Sequence, residues 1–123
     1  MPTSPRSLAV LALGFAAAAP LGSFAQPPAV HEIRVEARKF EFDPAVIEVT
    51  AGERVRLVLH SSDTTHGFEI TDLKLNVQLP RSGSLVTAEF TAPPPGRYAI
   101  ACSEMCGRGH RHMKAALVSL PPH

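Results

Sequence analysis

From residue 31 onward, apolar and polar positions alternate in short runs separated by turn residues, and no stretch shows the spacing of an amphipathic helix. Ile33, Val35 and Ala37 alternate with charged neighbours. Val46-Ile47-Glu48-Val49-Thr50 follows an Asp43-Pro44 break, and Ala51-Gly52-Glu53 turns the chain into Val55, Leu57 and Leu59. Further strand-length runs are His66 to Ile70, Leu75 to Leu79, Leu85 to Phe90, Arg97 to Ala101 and Met113 to Leu120. Pro80-Arg81-Ser82-Gly83 and Pro93-Pro94-Pro95-Gly96 fill the gaps, where a residue that cannot donate to a ladder belongs. Many short strands without a long helical segment predict an all-β fold, a Greek-key antiparallel β-sandwich. No internal repeat is visible.

The first 25 residues are of a different kind. Arg6 is their only charge, and Leu8 to Leu21 is apolar and rich in Ala and Leu. Ser23-Phe24-Ala25 supplies small residues around a cleavage point, so the pattern predicts a secretory signal removed near Ala25. The competing expectation is a retained N-terminal membrane anchor reaching Ala25, which Pro20, Gly22 and Ser23 weaken. Residues 26–30 then form a linker and 31–123 one domain. In either case the domain is expected to be periplasmic or otherwise extracytoplasmic.

Composition narrows the function. An apolar content of 45% suits one domain with a packed core. Twelve Lys+Arg against eleven Asp+Glu leave a net charge of +1, with no basic stripe along the chain to suggest nucleic acid or a polybasic membrane contact. There is no Trp.

The chemistry is concentrated in Cys102-Ser103-Glu104-Met105-Cys106-Gly107-Arg108-Gly109-His110-Arg111-His112-Met113, which holds the only two cysteines. Thiolates, imidazoles and a thioether form the soft donor set of a copper site, whereas zinc rarely recruits methionine and hard cations want oxygen. This loop falls between the last two expected strands. His66, opening an earlier strand, is the remaining candidate ligand, to be brought to the loop by sheet packing. Taken singly, the residues have plainer readings: a disulfide for the cysteines of an exported protein, a core position for Met113, a surface or satisfied histidine for His66. Their combination carries the metal reading.

The same run resembles the CuA motif of cytochrome c oxidase subunit II, also used in nitrous oxide reductase. The pattern is Cys-Ser-Glu-x-Cys-Gly-x-x-His-x-x-Met, and every fixed position is present. His66-Gly67-Phe68 and Pro95-Gly96-Arg97-Tyr98 also look like the soluble domain of subunit II. The run Phe40-x-Phe42-x-Pro44-x-x-Ile47-x-Val49-x-Ala51-Gly52-Glu53 is similar to the broader cupredoxin family. The resemblance implies a cupredoxin-like fold and a binuclear copper site bridged by Cys102 and Cys106. By position, His66 and His110 would each bind one ion, Met113 would be a weak ligand to one and the Glu104 carbonyl a weak ligand to the other.

It also implies an electron carrier, not an enzyme, whose partners are a c-type cytochrome or other periplasmic redox protein and the catalytic subunit of a membrane oxidase. In large oxidases the Glu104 side chain can help hold magnesium at that subunit interface. The chain departs from full-size subunit II in lacking its Trp-bearing aromatic region and its clear pair of membrane helices. Two alternatives use the same donors: a copper-handling protein that carries or delivers Cu(I), and a mononuclear site built on Cys106, His110 and Met113. His112 falls on a free position of the motif and is expected to be exposed. His31, His60 and His123 receive no role.

Overall fold

The computed structural model describes residues 2–5, 7–24 and 29–123. The expected cleavage point at Ala25 and the linker positions Gln26 to Pro28 lie outside the described residues, as does Arg6. Leu8 to Leu21 has no regular structure, and among the described residues no helix is long and apolar enough to cross a membrane.

The domain is built from β1 (Val30–Arg38), β2 (Glu41–Asp43), β3 (Val46–Thr50), β4 (Arg54–Ser61), β5 (His66–Ile70), β6 (Leu75–Leu79), β7 (Val86–Thr91), β8 (Gly96–Ala101) and β9 (Lys114–Leu120). Short 3-10 turns occupy Thr71–Leu73 and His110–His112. The strands form one sheet in the order β2-β1-β4-β7 and another in the order β3-β9-β8-β5-β6. Hairpin connections join β1 to β2, β5 to β6 and β8 to β9, while the remaining connections cross between sheets.

The expected sandwich is present, but its strands are mixed where the pattern suggested antiparallel pairing throughout. β1 runs parallel to β4, and β3 parallel to β9. The reason is topological: the chain leaves the first sheet after β2, forms β3 in the second, and returns as β4 beside β1. Alternation within a strand does not report the direction of its neighbour. Val30, expected in the linker, already pairs with Arg54 as the first residue of β1.

Alternation sends Val35, Ala37, Val55, Leu57 and Leu59 inward from one sheet to meet Ile47, Val49, Phe68, Ile70, Ile100 and Leu117 from the other. Phe42 of β2 meets Phe68 of β5 edge to face, with ring centroids 5.4 Å apart. Each buried Val, Leu, Ile and Phe side chain contributes about 1.5–3 kcal/mol relative to exposure. Cys102, Cys106 and Met113 are continuous with this core, so the candidate donors are packed at one end of the sandwich.

Candidate metal centre

At this end the ligand loop connects β8 to β9 and closes over the start of β5. A 3-10 turn organises its far side: His110 N–H donates to Gly107 O at 3.2 Å and Met113 N–H to His110 O at 3.2 Å. Cys102 N–H donates to Met113 O at 3.2 Å, which ties the two ends of the loop together. Gly107 adopts a φ of 139°, and a β-carbon there would come 2.9 Å from the Phe40 ring. Phe40 thus lies against the Gly107–Gly109 segment from the β1–β2 turn. Ser103 Oγ donates to Asn76 Oδ1 at 2.7 Å, bracing the near side of the loop on β6.

These constraints converge the expected donors. Cys102 Sγ and Cys106 Sγ are 3.6 Å apart. His66 Nδ1 is 3.9 Å from Cys102 Sγ, and His110 Nδ1 is 3.7 Å from Cys106 Sγ. Met113 Sδ lies 3.8 Å from Cys106 Sγ, and the Glu104 carbonyl oxygen 3.1 Å from Cys102 Sγ. The donor atoms of His66, Cys102 and Cys106 all fall within 4.8 Å of one another. His66 and Met113 are fully buried and both cysteines nearly so, while His110 is half-buried. The cysteines are free thiols. Burial pushes the Cys106 thiol up to about 11, and the neighbouring Cys102 adds to the effect. A bound cation reverses that preference, because the metal takes the place of the proton.

Two residues that the sequence motif does not mark complete the arrangement. Asp63 Oδ1 lies 2.7 Å from His66 Nε2. The carboxylate also accepts from Lys39 N–H at 2.7 Å and Thr64 N–H at 2.6 Å. Partial burial works against its ionisation, but the bonds from Lys39, His66 and Thr64 outweigh it and lower its pKa. An ionised Asp63 is an acceptor only, so it holds the ring proton on Nε2 and leaves the Nδ1 lone pair facing Cys102. Gly67 N–H, the next amide, points at Cys102 Sγ from 3.5 Å. An acid three residues before a candidate histidine, with glycine directly after it, was the available sequence signal. His112 is exposed on the 3-10 turn, His31 pairs with Glu53, and His60 faces Glu36.

Two thiols, two imidazoles, a thioether and a carbonyl around one buried point suit copper better than any oxygen-seeking ion. A sequence model of the cupredoxin-like domain matches residues 7–117. The chain belongs to the cupredoxin-like family. Within it, subunit 2 of cytochrome c oxidase from Thermus thermophilus is 35% identical over 92 residues, covering 74% of this chain and 67% of that protein. A second Thermus thermophilus subunit 2 matches at 35% identity over 74% of this chain and 54% of its own length. The chain therefore spans between about half and two thirds of these relatives.

Among solved structures, this cupredoxin-like chain matches part of a heme-copper terminal oxidase dimer determined by cryo-EM, with a TM-score of 0.66 and 26% identity over 73% of this chain and 65% of that one. The periplasmic domain of subunit II of cytochrome oxidase from Bradyrhizobium japonicum shares the fold, with a TM-score of 0.69 at 18% identity over 77% of this chain and 87% of that one. The domain is thus homologous to the soluble domain of subunit II.

Proposed function

We propose that this domain works outside the cytoplasm as an electron carrier with a binuclear copper centre, taking single electrons from a c-type cytochrome or similar redox protein and passing them to an oxidase catalytic subunit or another acceptor. The observation that supports it best is the pair of sulfurs 3.6 Å apart, with His66 beside Cys102 and His110 beside Cys106. Two copper ions sharing both thiolates would spread one electron between them, so that reduction changes the surroundings little. The chain's own part is preorganisation. Asp63 fixes the His66 ring, the Gly107–Met113 turn fixes His110 and Met113, and the core excludes water from the sulfurs.

As a carrier the domain needs no substrate position of its own, and the candidate donors face one another around the two sulfurs. Paramagnetic resonance of the copper-loaded, mildly oxidised protein tests the reading. The expected hyperfine pattern is that of one electron shared by two equivalent copper nuclei, and the pattern of a single copper nucleus contradicts it.

Cu(I) carriage is a second reading, favoured by Met105, a residue 77% exposed in the loop that offers a soft donor near solvent. Ready surrender of copper to a mild Cu(I) chelator, without rapid oxidation by a cytochrome, would select it.

A further inference from the structure

Among the described residues seven cations lack an ion-pair partner, and five of them lie at the donor end, with Lys74 and Arg97 elsewhere. On the sheet containing β1 and β4, Arg38 contacts Glu36, Glu41 and Asp43, Arg56 contacts Glu89 and Glu32, and Arg54 contacts Glu89. The end that carries the copper-type donors is different. Lys39 lies in the β1–β2 turn, Arg81 in the β6–β7 loop, Arg108 and Arg111 in the ligand loop, and Lys114 directly after Met113. All five are exposed, and among the described residues none has a carboxylate within ion-pair distance.

Topology brings them together. The end of β6 pairs with the start of β5, since Leu79 opposes His66, and Arg81 Nη2 donates to Thr64 Oγ1 at 3.3 Å beside the Asp63 turn. Lys39 N–H is bonded to Asp63, and Phe40 next to it lies on Gly107 and Gly109. The loops at this end carry two carboxylates, Asp63 and Glu104, while Glu41 and Glu69 on the adjoining strands are engaged by Arg38 and by Asn76 and Thr71. Asp63 is occupied by His66 and two backbone amides, and Glu104 is half-buried. Exposed Met105 and the Phe40 edge supply apolar surface within the same group of loops.

We infer that this cationic rim is the docking surface for an electron-transfer protein whose own contact face is acidic. The inference rests on the carrier function proposed above and names the partner's chemistry. Uncompensated charge of one sign around a contact site raises the encounter rate with an oppositely charged partner and turns away one of like charge. A protein partner is favoured over an anionic membrane because Arg108 and Arg111 flank the half-buried His110 in the ligand loop and Phe40, next to Lys39, lies on Gly109, so docking here brings a partner's cofactor to the donor cluster.

The test uses the copper-loaded full chain and three probes: native basic cytochrome c, the same cytochrome with its lysines succinylated so that it becomes acidic, and vesicles of phosphatidylglycerol. At low salt the succinylated cytochrome should bind at least about tenfold more tightly than the native form, and the preference should collapse at high salt. The double variant Arg108→Glu, Arg111→Glu should remove or invert the preference. Arg97→Glu, at the opposite end of β8 and equal in charge change to either substitution taken singly, should leave it unchanged. Should the loop variant fail to fold, Arg81→Glu on a separate loop carries the same expectation.

Equal or tighter binding of the native basic cytochrome overturns the inference. So does binding of the vesicles without binding of the acidic cytochrome, or an Arg97→Glu effect as large as that of the loop variant. Oxidation of the ferrous succinylated cytochrome is read in parallel, one electron leaving its haem for the oxidised copper-loaded chain. Rim-dependent binding without that transfer would uphold the docking surface while contradicting the proposed function.

Discussion

Gly67 sits so close to Ser103 that a β-carbon there would stand 2.0 Å from Ser103 Oγ and 2.9 Å from the Ser103 and Glu104 nitrogens. The hydroxyl could rotate away, but the backbone of the ligand loop could not without shifting Cys102. Gly67→Ala should therefore lift the loop off β5, costing about 1–3 kcal/mol of stability and weakening copper binding. Thermal melting and copper titration of the variant check this. Wild-type copper affinity would show that the close approach does not position the loop.

Asp63→Asn keeps size while removing the charge that holds the His66 proton on Nε2. Copper affinity should fall by about 10- to 100-fold, with the metal-free protein still melting cooperatively. Competition against a chelator of known affinity measures the change. An unaltered affinity would mean that His66 is oriented by packing alone.

The strands Val46–Thr50, His66–Ile70 and Leu75–Leu79 were legible in the sequence to the residue, because each is a short alternating run bounded by turn formers. β2 was not. Three residues leave no periodicity, and Glu41–Asp43 is a strand only through its pairing with β1. Four of the expected ligating side chains, Cys102, Cys106, His110 and Met113, were readable together because they share one loop. His66 stood out as a further candidate, but only the fold brings it to the loop. Asp63, in a polar turn-rich stretch, reads as a turn former, and only folding turns its carboxylate towards His66. The cationic rim was equally hidden, since Lys39, Arg81, Arg108, Arg111 and Lys114 are dispersed along a chain of near-neutral charge.

Acid should destabilise the metal-free domain partly through Glu53, which joins the β3–β4 turn to β1. Its carboxylate is held below its usual value of 4.5, foremost by the His31 side chain and then by Thr50 N–H, against the opposing effect of burial. A lowered carboxyl pKa contributes stability that is present above the unfolded value and lost as pH falls through the folded one. Glu53→Gln should cost on the order of 1 kcal/mol at neutral pH and flatten the loss of stability below about 4.5. Denaturant melts of both proteins across that range are the measurement, and parallel curves would contradict the assignment.

If both sulfurs serve one shared centre, copper counting in cysteine variants shows it most directly. Serine preserves size but offers a poorly acidic hydroxyl in place of a soft thiolate, so it cannot bridge in the same manner. Wild type, Cys102→Ser and Cys106→Ser are loaded under reducing and then mildly oxidising conditions, and metal per chain is determined. Two ions are expected in wild type and a fall towards one in each variant, with comparable damage from either change. One ion in wild type, or an unchanged count in either variant, would contradict it.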